Sequence, residues 1–161
     1  ALPVTICHLP PICKRGAFKE KRFSLIIQAI QLKHKYPESY YSIKHGQLIW
    51  YGKIKPTPIS REYNIRIVCR HEKKPKIYLY GDIIEGIDKT DFPHHYHKDI
   101  NKQEVQLCLN LPAEFDYSLR ICDTIVPWAQ EWLYFYEIWL STGRWCGGGH
   151  EIKLNNNKNN E

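Results

Sequence analysis

The chain has 161 residues, of which 43% are hydrophobic and 13% aromatic, a composition that suits one domain with a packed core and excludes a disordered chain. Its net charge of +6 is compatible with an acidic partner or nucleic acid but carries no information about the fold. No apolar stretch approaches the roughly 20 residues that cross a bilayer, so we expect no membrane association.

The first predicted element is a helix from about residue 18 to residue 36. Apolar side chains recur there at the spacing of one helix face, at Phe23, Ile26, Ile27 and Ile30. Pro37 follows and is expected to end the helix, because the residue before a proline avoids helical geometry.

Three strands are predicted next, at residues 47–54, 62–70 and 76–80. The second alternates cleanly, with Tyr63, Ile65, Ile67 and Cys69 on one face and only Val68 breaking the pattern on the other. Short connections between these runs favour an antiparallel meander.

The rest of the chain divides into a polar loop, a short extended segment and a second helix. Residues 82–102 are predicted to be irregular, and residues 103–109 extended. A strongly apolar helix follows, capped by Asp123 or Thr124 and stopped after residue 142 by Gly143. We therefore predict an α+β domain over residues 1–154 and a disordered polar tail over residues 155–161.

The six cysteines include no C-x-x-C pair, which removes the commonest zinc and redox-pair spacings. The N-terminal residues show neither a charged, then apolar leader nor a cleavage site of small residues. We therefore expect reduced thiols, no bound metal or other cofactor, and a cytoplasmic protein.

Cys108 lies between two leucines, downstream of a loop that contains His94, His95 and His97. A thiol becomes a good nucleophile as the thiolate, and a nearby imidazole can take its proton. A free cysteine between leucines is, however, more often a small buried hydrophobe. The spacing by itself leaves both interpretations open.

The order of elements resembles that of the ubiquitin-conjugating enzymes. The sequence more specifically resembles bacterial proteins of this fold that are encoded beside cGAS-like nucleotidyltransferases in antiphage (CBASS) operons. The similarity covers roughly the C-terminal half and rests on these blocks: Pro93-His94-x-Tyr96, Leu107-Cys108-Leu109 with Pro112, Asp123-Thr124-Ile125-Val126-Pro127-Trp128, Glu131-Trp132-Leu133, Tyr136-Glu137-Ile138-Trp139-Leu140, Thr142-Gly143 and Trp145-x-Gly147-Gly148-Gly149-His150.

This resemblance implies thioester chemistry in antiphage defence. Cys108 would accept an acyl group, most plausibly the C-terminus of a cGAS/DncV-like nucleotidyltransferase, and pass it to an amine. His94 matches the histidine of the family and would transfer a proton or polarise the acyl oxygen. Tyr96 would orient His94 or pack beneath it, while His97 and His150 are further candidates for a catalytic or orienting role.

Two features depart from what such an enzyme needs. Eukaryotic ubiquitin-conjugating enzymes carry an asparagine upstream of the cysteine as the oxyanion donor, whereas here the nearest asparagines, Asn101 and Asn110, match no motif and a backbone N–H is an alternative. The chain also lacks a dinucleotide-binding or P-loop motif. We therefore expect a separate activating enzyme, or a partner that brings a preactivated group.

Other functions remain open at this stage. The chain could be a non-catalytic scaffold of the same fold with Cys108 buried, or a hydrolase that uses Cys and His. It could also be a basic nucleic-acid-binding module. Nucleic acid is not an expected partner, because most tryptophans lie in the apolar helix and not among basic residues on a strand.

Overall fold

The computed structural model describes residues 21–109 and 115–148. Within these two ranges the chain forms two helices and six strands, with one 3₁₀ turn (Ile121–Asp123) before the second helix. In chain order they are α1 (Leu25–Lys35), β1 (Tyr40–Lys44), β2 (Gln47–Ile54), β3 (Tyr63–Arg70), β4 (Lys76–Tyr80), β5 (His95–Asp99), β6 (Glu104–Leu107) and α2 (Ile125–Thr142).

The six strands form a single antiparallel sheet in the order β1-β2-β3-β4-β6-β5. The first four make an antiparallel meander, in which β2, β3 and β4 are the three predicted strands. Strands β5 and β6 add a hairpin in which β6 pairs with β4. With a helix before the sheet and a helix after it, the predicted α+β class is confirmed and agrees with a ubiquitin-conjugating-enzyme-like fold.

Helix α1 starts later than predicted, and the apolar face assigned to it is wrong. Ser24 caps the helix by accepting a hydrogen bond from the backbone of Ile27, and the chain leaves the helix before Pro37, as expected. The buried positions are Leu25, Gln28, Ala29 and Leu32. The predicted isoleucines, by contrast, are 40–52% exposed, because the sheet lies against the neighbouring face of the helix.

Two strands were not predicted, and both lie at the edges of the sheet. Strand β1 pairs with β2, and β5 occupies part of the segment predicted to be irregular. Exposed side chains dominate β1, and β5 is mixed, with its exposed positions in the middle. Edge strands of this kind lack the hydrophobic alternation by which β3 is recognised.

The core lies between one face of the sheet and the helices. In β3, the alternation expected from the sequence is confirmed, since every second residue from Tyr63 is buried. Gln28 is one of two buried polar residues in the described part of the chain, with Ser39. Its amide donates to the backbone oxygen of Leu119 at 2.8 Å, and its Oε1 accepts from the backbone of Ile121 at 2.9 Å. These two bonds join α1 to the segment that leads into α2.

The bounds of helix α2 agree closely with the prediction, and seven of its 18 residues are buried. It begins after Thr124, whose hydroxyl donates to the backbone oxygen of Arg120 instead of capping the helix. It ends at Gly143, which has the left-handed conformation (φ 70°) expected of a C-terminal glycine. Neither helix in the described part of the chain is both long and apolar enough to cross a membrane.

The predicted polar tail, residues 155–161, lies outside the described residues, as do His150 and Asn110. The extent of the predicted domain, residues 1–154, stays a prediction.

Candidate active site

Cys108 lies just beyond β6, where the chain leaves the sheet. Its two neighbours, Leu107 and Leu109, are buried, whereas Cys108 itself is partly exposed. This alternation turns the leucines into the core and the thiol away from it. The backbone N–H of Cys108 donates to the backbone oxygen of His94 at 3.0 Å, so the hairpin pairing continues to the cysteine.

A β-bulge in β5 brings Tyr96 to the thiol. His95 lies opposite Leu107 and His97 opposite Gln106, which leaves Tyr96 as the extra residue. A bulge redirects a side chain that would otherwise follow the strand alternation. The hydroxyl of Tyr96 lies against the Cys108 side chain, and this contact, followed by burial and by the negative charge Cys108 can carry, raises the pKa of Tyr96 to about 12. Tyr96 is therefore a protonated hydrogen-bond donor at neutral pH.

His94 is held beside Cys108 by its backbone, not by its ring. Its carbonyl accepts a second hydrogen bond, from the indole N–H of Trp132 in α2 at 3.1 Å, and its φ of 28° is rare for a residue with a side chain. The ring lies 4.8 Å from the ring of Trp145, tilted by 31°. Burial alone lowers the pKa of His94, so the imidazole is neutral at pH 7, and the thiol makes no contribution.

The ring of Trp145 packs against the ring of His94, and Trp145 was not among the predicted site residues. It also contacts Trp132 and Phe135 of α2. A Cβ atom on Gly147 would lie 2.8 Å from both Phe135 and Trp145. The glycine is therefore needed for close packing behind His94. The glycine-rich block was the signal in the sequence that could have indicated this close packing.

These contacts bring together a partly exposed thiol, a hydroxyl that lies against it and a neutral imidazole whose backbone is fixed next to it.

The profile of the family described as Type II CBASS E2 protein matches residues 28–152. The chain belongs to this family. A comparison with curated proteins gave no match. The resemblance to ubiquitin-conjugating-like proteins of CBASS operons is thereby confirmed, and the match extends into the N-terminal half.

The other predicted histidines have different surroundings in this CBASS E2 protein. His95 points its ring toward Phe92, with centroids 5.5 Å apart, and its pKa is lowered, mainly by burial. His97 is exposed on β5, opposite Gln106. His150 lies outside the described residues, so its role stays a prediction.

Asn101 is placed too far from the thiol to serve as its oxyanion donor. It lies in the turn of the β5–β6 hairpin, beyond the pair of Asp99 and Glu104. Cys108 is four residues along the chain from Glu104, which corresponds to about 13 Å in an extended strand. Among the described residues, the hydroxyl of Tyr96 lies against the cysteine and is the candidate donor.

No cluster of three or more His, Cys, Asp or Glu side chains with the geometry of a metal site occurs in residues 21–109 and 115–148.

Proposed function

We propose that this CBASS E2 protein is an acyl transferase that carries its substrate as a thioester on Cys108. The observation that carries the proposal is the partly exposed thiol with the Tyr96 hydroxyl against it. Partial exposure distinguishes Cys108 from the buried Cys69, which also has a tyrosine hydroxyl beside it, that of Tyr117. Burial raises the pKa of Cys69 to about 12, so that thiol is not available as a nucleophile.

The first step loads the cysteine. The Cys108 thiolate attacks the carbonyl carbon of an activated carboxylate, such as an acyl adenylate or a thioester on an activating enzyme. The C–S bond forms, the bond to the leaving group breaks, and the leaving group departs with its electron pair. Tyr96 stabilises the thiolate before attack and can donate to the oxyanion that develops on the acyl oxygen.

The second step transfers the acyl group from Cys108 to an amine. A primary amine attacks the thioester carbonyl, the C–N bond forms and the C–S bond breaks, so that the electron pair returns to the sulfur of Cys108. His94 is the proposed acceptor of the proton that the amine loses, because burial keeps its imidazole neutral and its backbone is fixed beside the cysteine. Tyr96 again donates to the sulfur as the thiolate leaves.

The donor that we propose is the C-terminus of a cGAS/DncV-like nucleotidyltransferase from the same operon. This choice rests on membership of the CBASS E2 family. Because the sequence has no nucleotide-binding motif for adenylation, we propose that a separate activating enzyme supplies the activated carboxylate.

The test is to co-produce the protein with the nucleotidyltransferase and activating enzyme of its operon, and to look for a covalent adduct on Cys108 by non-reducing gels and mass spectrometry. A thioester adduct is cleaved by excess thiol or hydroxylamine. The Cys108→Ala variant should give no adduct, and Cys108→Ser should trap an oxyester that resists thiols.

Cys146 provides the matched control, since it is an exposed cysteine. The Cys146→Ala variant should form the adduct as the unmodified chain does. If Cys108 stays unmodified while both partner proteins are present and active, the transferase proposal falls and the non-catalytic scaffold becomes the better account.

A further inference from the structure

The face of the sheet that points away from the core carries tyrosines and cations in registered rows. One row crosses five strands, because Tyr40, Tyr51, Arg66, Tyr78 and Gln106 are successive partners in the antiparallel register. We call this surface, with the parallel rows beside it, the outer face. Neither described helix packs on the outer face, since both lie on the side where the strands bury their apolar residues.

A groove of about 420 Å³ runs along the outer face beside the turn between β3 and β4. Its lining contains five cations and no carboxylate: Arg66, Arg70, Lys73, Lys74 and Lys76. The acidic residues Glu72 and Asp116 line a neighbouring cleft, which Lys73 and Lys74 also line. So many like charges without a lining counter-charge create a local positive potential that attracts anions.

Four of these five cations have no ion pair within the described residues. Arg66 is neutralised by Glu104 at 2.8 Å, whereas Arg70 donates both of its bonds to the uncharged Oε1 of Gln47. The three lysines of the groove have no carboxylate partner within the described ranges. The groove can therefore pair with about four negative charges of a ligand without breaking an existing ion pair.

The exposed aromatic rings beside the groove favour nucleic acid over an acidic peptide as the anion that binds there. Tyr40 is 61% exposed and stacks on Tyr51 at 4.6 Å with an angle of 13°, and the guanidinium of Arg66 lies 4.4 Å over the ring of Tyr78. An acidic peptide would use the cations but not the flat rings. Nucleobases stack on such rings while phosphates meet the cations, as on other sheet surfaces that bind single strands.

We propose that the outer face binds single-stranded nucleic acid, with phosphates at Arg70, Lys73, Lys74 and Lys76 and bases at Tyr40 and Tyr51. The N-terminal 20 residues are a poor alternative occupant, because they carry three basic residues and one acidic residue and would be repelled. The proposal uses none of the residues assigned to the thioester chemistry, so each proposal can fail without the other.

The experiment measures binding of the full chain to fluorescein-labelled poly(dT) and poly(U) of about 20 nucleotides, longer than a typical site, by fluorescence anisotropy. With four phosphate contacts, the logarithm of Kd should rise with the logarithm of salt concentration with a slope of about 3 between about 50 and 200 mM. The double variant Lys74→Glu/Lys76→Glu should bind at least about tenfold more weakly and show about half that slope.

The matched control is Lys55→Glu/Lys89→Glu, which makes the same change in net charge with exposed lysines that do not line the groove. It should keep its affinity. Tyr40→Leu should weaken binding about tenfold through lost stacking and leave the salt slope unchanged.

Three results would overturn the proposal. Equal losses in both double variants would mean that net charge alone attracts the strand. Competition by a poly-glutamate peptide of equal charge as effective as competition by unlabelled poly(dT) would make an acidic protein segment the occupant. Duplex DNA binding as tightly as the single strand would exclude base stacking. Thermal melting should show that each variant is folded.

Discussion

Replacing Tyr96 by Phe removes the hydroxyl at the thiol and keeps the ring, so it isolates the contact that supports the transferase proposal. A hydrogen bond to a charged group contributes about 1.5–3 kcal/mol. Tyr96 is 60% exposed, and solvent screening reduces that value to about 1 kcal/mol. Because the hydroxyl can donate to the sulfur as it reacts, its loss should slow alkylation of Cys108 about fivefold at neutral pH.

The assay is pulsed alkylation with iodoacetamide, read by mass spectrometry of the peptides that contain Cys108 and Cys146. Cys146 is exposed and serves as the internal reference, because its rate should be the same in both proteins. Tyr96 should keep its hydroxyl proton, and therefore donate, until the pH approaches its pKa of about 12. A Tyr96→Phe variant that alkylates as fast as the unmodified chain at every pH would refute the assignment.

Three further predictions concern packing and charge, and all can be measured by urea denaturation or thermal melting. Gly147→Ala should lower the free energy of unfolding by about 2 kcal/mol because its Cβ meets two aromatic rings at 2.8 Å, whereas Gly148→Ala, with open space around it, should change it by less than about 0.5 kcal/mol; equal losses would contradict the packing argument. Gln28→Leu should cost about 2 kcal/mol because it leaves a part-buried carbonyl and a buried N–H unpaired, while Gln31→Leu should cost nothing, since its buried Oε1 has no partner among the described residues. Burial lowers the pKa of His94, so the unfolded chain binds its proton first and stability should fall as the pH drops below about 6.5; in His94→Gln this fall should be smaller, and an unchanged pH profile would contradict it.

The fold was largely predictable because its central elements repeat a single pattern. The bounds of β2 and β4 agree with those read from the sequence, and β3 differs by one residue. Strand β3 is buried on one face along its whole length, and α2 is apolar over five turns, so local periodicity reports their burial directly. At the edges of the sheet, β1 and β5 have too few buried residues to produce such a pattern.

Helix α1 shows where periodicity misleads. Two overlapping apolar faces are present in its sequence, and the one with three isoleucines was the more obvious choice. The sheet instead packs against the face with Gln28, whose amide is satisfied by backbone groups about 90 residues away in the chain. A glutamine can be buried in a core only when its amide finds hydrogen-bond partners there, and a local sequence pattern cannot predict partners that are distant in the chain.

The sequence by itself determined the α+β class, the central strands, the final helix and, through its C-terminal blocks, the family and the cysteine to examine. The tertiary structure decided which groups meet that cysteine. A bulge in β5 directs Tyr96 toward the sulfur of Cys108. The ring of His94 packs against Trp145, and Asn101 lies at the far end of the β5–β6 hairpin. The physical reason is that burial periodicity is a local property of the chain, whereas the direction of a side chain at a bulge depends on strands and helices that are distant in sequence.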